Sequence, residues 1–455
     1  MKMKKSALTQ GNILKTLIIF SLPMILSNSI GLLFHATDVA VLAYFTDDAA
    51  VAAVGACGSL ITLMVSLFTG LATGASVLVS KRVGANDEAG TTKAVGTALT
   101  LGFLSGLFLL VVSLLFARSF LILMNCQPDV LDMATLYMKI YFLGSPVMMI
   151  NSFARAALTA SGDSARPMFY TVLSGVINVI ANIFFVTVCN LAVAGVAIAT
   201  VCSSAVSMVL VLIRLFGAKG SCKVEWRSLR IDRKDLFEIV RVGVPTCLCS
   251  LSFFTANVIL ASAVNSISTD AMTANAISGQ FDGFIYTIGA AIASATSVMV
   301  AQNYGARKLD RMKQTVRTGI CYVTAVSITL GTVFVMFAEP ILRILSDSDA
   351  VIAIAKDRMT LLCLTYFVTS IMEVFAFSLR AIKRQKSTMV VGAVCGFGIR
   401  CLWRYFVWPM NPTLAMLFAC YTVSAFVAIV IYIFVYRKAI NGFQREMTAD
   451  HAAAA

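Results

Sequence analysis

Runs of about twenty or more apolar residues recur from one end of this chain to the other, and nothing else in it restricts the fold so severely. A run of that length crosses ~30 Å of hydrocarbon as an α-helix, and in lipid every backbone N–H and C=O must be satisfied within the protein. The short alternating segments of a membrane β-barrel are not seen. We place twelve spans, near residues 13–43, 51–79, 94–117, 134–154, 168–188, 191–213, 236–264, 272–301, 315–337, 354–379, 387–407 and 414–436. Only 13% of the 455 residues are charged and mean hydropathy is +0.87, against roughly a quarter charged in soluble proteins. An all-α polytopic membrane protein follows. The first run continues through Pro23 and Asn28 without a small-residue cleavage site, so it reads as a span and not as a removable signal.

The net charge of +14 raises the question of nucleic acid, but the basic residues lie in the breaks between spans, as the positive-inside rule requires. With the N-terminus in the cytoplasm, that side holds 29 of the 36 Lys and Arg, the outer side 5, and Arg400 and Arg404 fall within a span. Nucleic acid is therefore not an expected partner; the bilayer is. Both termini are expected in the cytoplasm. The cysteines sit mostly inside apolar runs without CxxC spacing, as small buried hydrophobes and not metal ligands.

The longest break, residues 214–235, is strongly basic and divides the chain into an N-terminal six-span lobe (1–213) and a C-terminal one (236–440), with a tail at 441–455. The halves repeat. SVLVSKRVGANDEAGTTKAV from Ser76 answers SVMVAQNYGARKLDRMKQTV from Ser297 at a shift of 221 residues, and Pro23 meets Pro245. Arg155 in FARAAL falls opposite Arg380 in FSLRAI at a slightly different shift. Six crossings return the chain to its starting side, so the repeats are parallel, an arrangement that puts a binding site near the midplane. Pro23, Gly31, Gly55, Gly243 and Pro245 are candidate hinges.

Several of these stretches together resemble one family, the multidrug and toxic compound extrusion (MATE) transporters. The resemblance is carried by the first-span Asp in ATDVAVLAYF, the VGAN and YGARKLDRMK loops, ASGDSARPM after span four, and Asn178 with Asn182 in span five. It implies two six-helix lobes arranged as a V, in the cytoplasmic membrane of a bacterium. The implied activity is antiport by a monomer: export of small organic compounds against protons or sodium ions, with no enzymatic step and no cofactor.

Asp38 is the outstanding residue, since a carboxylate near the bilayer centre is costly and usually marks an ion path. With Asn151, Asn178, Asn182 and Thr200 it offers one charge and several neutral oxygens, a set that suits a hard cation such as sodium as well as a proton. The resemblance makes these positions the cation site, with Tyr137 a companion. Some family members carry Asp where this chain has Asn182, so proton and sodium both stay open. His35, one turn before Asp38, either assists a proton or only packs.

In the C-terminal lobe the polar intramembrane residues are Gln280 and Asp282 in span eight, Glu373 in span ten and Arg400 in span eleven. Glu373 and Arg400 are expected to pair, because each is costly alone. Asp282 is then the residue for a cationic substrate. Family members with acidic residues earlier in spans seven and ten find Phe253, Phe254 and Thr369 here, so their ion site does not carry over. A second reading is a flippase for lipid-linked saccharides from the wider superfamily. Handling pyrophosphate calls for several cavity-lining bases, and counting only Arg400 and Arg404 within the membrane favours cationic or neutral substrates.

Overall fold

A computed structural model describes residues 7–124, 126–217, 224–225 and 228–454. After a 3₁₀ turn at Ala7–Thr9, the helices are α1 (Ile13–Phe45), α2 (Asp48–Gly84), α3 (Glu88–Leu123), α4 (Pro128–Leu143), α5 (Ser145–Ala160), α6 (Ala165–Ile183) and α7 (Ala192–Phe216). The second half supplies α8 (Arg233–Asn265), α9 (Thr269–Gly305), α10 (Leu309–Met336), α11 (Ala338–Arg343), α12 (Asp349–Ala381), α13 (Gln385–Val391), α14 (Arg400–Leu402) and α15 (Leu414–Ala454). Among the described residues eleven helices are long and apolar enough to cross a membrane, twelve when α4 and α5 count as one span bent by 49°. The span from Gln385 to Met410 joins α13 and α14 through π-helical turns at Gly392–Ile399 and Trp403–Val407, and α6 runs into another at Phe184–Val188.

The repeat is written into the backbone. α2 and α9 begin and end 221 residues apart, α3 and α10 begin 221 apart, and α5 and α12 end 221 apart. Both second helices are capped alike, Asp47 accepting from Ala50 N at 3.3 Å and Ser268 from Ala271 N at 3.1 Å. Left-handed backbone recurs at the same places, at Asn86 and Arg307 (φ 57° in each) and at Gly162 (97°) and Lys383 (64°). That register places Arg155 opposite Ala376 and Arg380 opposite Thr159, so the two arginines aligned by sequence are not equivalent.

The chain divides into two compact units. One spans Leu22–Cys247; the other joins Leu248 onward to the segment ending at Ser21. Both divisions fall inside the first helix of a repeat, within two residues of Pro23 in α1 and of Pro245 in α8. In the first unit the core gathers Val54, Cys57, Met138, Phe142 and Met149 on α2, α4 and α5. α3 lies so close to α5 that a Cβ on Gly106 would stand 2.4 Å from Pro146 Cα, the small-residue contact that lets membrane helices approach. In the second unit α9 is the central helix, packed on α10 and α12 through small residues from Ala291 to Ser297. Large apolar side chains such as Phe108, Leu115, Ile180 and Phe406 face outward, as hydrocarbon favours.

Candidate ion and substrate sites

Asp38 lies seven residues from the end of α1 and is 8% exposed. Its carboxylate oxygen Oδ1 accepts from Asn182 Nδ2 at 2.5 Å, and Asn182 is wholly buried. Asn178 sits one turn earlier on α6, so both amides share a face; Asn182 Nδ2 also approaches Asn178 Oδ1 at 3.4 Å. Asn178 Nδ2 in turn donates to Thr200 Oγ1 on α7 at 3.5 Å. The sixth span therefore joins the first and fifth in one polar chain. Asn182 Oδ1 is buried and has no hydrogen-bond donor among the described residues. A cation next to Asp38 would supply what that oxygen lacks, so the residues present fit a small monovalent cation.

Tyr137 on α4 is buried and within electrostatic reach of Asp38. Tyr141, one turn further on and half-buried, is also within electrostatic reach of Asp38; its spacing of four from Tyr137 was the available signal in the sequence. Asn151 does not join the chain, for its Oδ1 accepts from Ser207 Oγ at 3.1 Å and ties α5 to α7. The side chain of His35 lies outside the described residues.

The second unit departs from expectation. Asp282 pairs with Arg358 of α12, at 2.9 Å from Nη1 and 3.5 Å from Nη2, and Nη1 also donates to Ser278 Oγ at 3.0 Å. The Arg358 guanidinium lies 4.5 Å above the Phe418 ring, and the pair is nearly buried, the side chains 6% and 17% exposed. Arg358 falls inside the tenth span (354–379), and the carboxylate of Asp282 two spans earlier, costly alone, called for such a partner. Arg380, counted among the cytoplasmic cations, is likewise buried and packs over Phe377 at 4.7 Å. Buried bases of the second unit therefore include Arg358 and Arg380 as well as Arg400, more than the two expected within the membrane.

Glu373 and Arg400 do not pair. Arg400 donates from Nη1 to Asn257 Oδ1 (3.3 Å) and from Nε to Ser424 Oγ (3.4 Å), and its two faces meet Phe253 (4.7 Å) and Tyr421 (4.2 Å). The reason is depth. Glu373 lies eight residues before the end of α12 and Arg400 fifteen after the start of the next span, an offset of about 10 Å at 1.5 Å per residue. The π turns on either side of Arg400 add a rotation that an α-helical wheel does not carry. Glu373 makes no hydrogen bond or ion pair among the described residues, although Arg380 and Arg400 lie within electrostatic reach. Gln280 is exposed on α9 and makes no side-chain hydrogen bond.

Two repeats of six spans, with charged and amide side chains buried in mid-helix, make a membrane transporter of the parallel-repeat class. A family model, MatE, matches residues 23–184 and again 245–406, once per repeat. The chain belongs to the MatE family. A similar curated protein is the probable multidrug resistance protein YoeA of Bacillus subtilis, 25% identical over 382 residues, 82% of each chain. The probable multidrug resistance protein NorM of Thermotoga maritima is 22% identical over 83% of this chain and 82% of its own. Among solved structures, a MOP superfamily transporter from Pyrococcus furiosus, described as having a binding pocket of reversed polarity, shares the fold. Its TM-score is 0.90 at 20% identity, over 98% of this chain and 99% of that one.

Proposed function

We propose that this chain is a multidrug efflux antiporter of the cytoplasmic membrane, exporting small organic compounds in exchange for protons or sodium ions bound at Asp38. The observation that carries the reading is the buried contact between Asp38 Oδ1 and Asn182 Nδ2, continued through Asn178 to Thr200, beside the donor-less Asn182 Oδ1. The Asn182 amide donating to Asp38 Oδ1 fixes the carboxylate among the three spans, and its charge is present or cancelled according to whether an ion is bound. Three helices meet there, so filling the site changes the balance of forces on α1, α6 and α7 together. The names of the curated relatives support multidrug substrates. A positively charged group on such a substrate would be met in the second unit by Glu373, which makes no ion pair among the described residues.

The charge distribution supports an orientation with the N-terminus, the 214–235 linker and the C-terminus in the cytoplasm, and we take the working unit to be one chain. Asp38→Asn tests the whole reading. The amide keeps the shape of the carboxylate but carries no charge, so efflux driven by an imposed proton or sodium gradient in proteoliposomes should fall to background at unchanged folded yield. Efflux that persists would remove Asp38 from the coupling site.

A further inference from the structure

We propose that Arg400 is an anion-recognition site, taking the carboxylate or a comparable planar oxyanion of substrates built on an aromatic body. The proposal rests on the reading above that the interior of the second unit handles substrate. Arg400 is 2% exposed, yet no carboxylate lies within ion-pair distance among the described residues. Asp282 is held by Arg358, and Glu373 is offset by about 10 Å along the helix axes. What surrounds Arg400 is neutral: Ser424 Oγ, Asn257 Oδ1, and the rings of Phe253 and Tyr421. Asn257 Oδ1 is shared, since Tyr421 Oη donates to it at 2.9 Å. Neutral acceptors and π faces satisfy hydrogen bonds but give the guanidinium no ion pair where desolvation is expensive, and Glu373 acts on it only at a distance. Nη2 makes no hydrogen bond among the described residues. Nη2, on a planar fork beside two rings, is the donor left for an oxyanion oxygen.

The place in the repeat strengthens the argument. Asp38 is the twenty-sixth residue of α1 and Asn257 the twenty-fifth of α8; Asn182 and Arg400 both lie on the fifth span of a repeat, each next to a π-helical turn; Thr200 and Tyr421 are ninth and eighth on the sixth. The same three spans thus build the same kind of polar cluster twice, with a carboxylate at its heart in one half and a guanidinium in the other. A cluster that receives a cation has a counterpart of opposite charge, and an anion is what that counterpart is built to receive. The aromatic preference comes from the wall beside it, where Tyr286 stacks on Phe253 at 6.1 Å and 10° and Tyr366 meets Tyr286 edge-on at 6.5 Å.

The test is binding of 2-naphthoate, its methyl ester and its primary amide to the full chain in nanodiscs. Wild type should bind the acid about tenfold more tightly than the ester or amide. Arg400→Gln should erase that gap through a loss of affinity for the acid. Asn257→Asp keeps Arg400 and sets a carboxylate where Asn257 Oδ1 now stands at 3.3 Å, so it should also erase the gap, and it serves should Arg400→Gln fail to fold. Equal affinity for acid and ester in wild type, or a gap that survives either variant, overturns the proposal. Gradient-driven efflux of ethidium is measured alongside: its presence without acid discrimination defeats this inference alone, and its absence defeats the transport reading.

Discussion

Removing the carboxylate of Asp282 should harm this protein far more than removing both Asp282 and Arg358. The pair is nearly enclosed, and Arg358 donates two hydrogen bonds to Asp282 and one to Ser278, with Phe418 beneath. Asp282→Asn leaves a buried guanidinium without a counter-charge, a change that typically costs about 3–5 kcal/mol, of which the Phe418 contact already recovers ~0.5–2 kcal/mol in either case. Asp282→Asn combined with Arg358→Met removes the charge altogether, and apolar replacement of a buried pair is commonly near neutral. Arg358→Met alone strands Asp282 in turn, so the coupling energy should be at least about 3 kcal/mol. Unfolding in mixed micelles, followed by tryptophan fluorescence, gives the four corners of the cycle. Additivity within ~0.5 kcal/mol would refute the reasoning, since it would mean that Arg358 is not held by Asp282. The same cycle on Glu373→Gln and Arg400→Met serves as the contrast: those side chains do not pair, and their effects should nearly add.

Further outcomes follow from the same structure. Asn182→Ala, which removes the amide bonded to Asp38, should raise the ion concentration needed for half-maximal efflux about tenfold without changing folded yield, and an unchanged ion dependence would separate Asn182 from the site. Lys234, exposed at the start of α8, should react as Lys234→Cys with an impermeant maleimide only in inverted vesicles on a cysteine-free background; labelling of intact cells would reverse the proposed orientation. Gly106→Val should lower folded yield severely, because its Cβ would sit 2.4 Å from Pro146 Cα, where backbone and not a pliant side chain must yield; wild-type yield on size-exclusion chromatography would show that α3 and α5 do not meet there.

The sequence by itself determined the membrane class, the two parallel six-span repeats and the first-unit cluster, and each for a local reason. Hydrocarbon leaves no alternative to helices of about twenty apolar residues, and a shift of 221 residues is visible in one line of sequence that recurs as matching caps and left-handed turns. Asp38, Asn178 and Asn182 were legible because charge and amides are rare in spans, and a spacing of four fixes a shared face on a regular helix. Only the tertiary structure decided the partners. Asn151 went to Ser207, Asp282 to Arg358 and Arg400 to Asn257, Ser424 and two rings, while Glu373 makes no ion pair among the described residues. Pairing depends on depth and rotation on different helices, and π turns, a bend at α4–α5 and a long arginine arm shift both by several ångströms. Sequence spacing carries no record of those displacements, because they are set by how neighbouring helices pack.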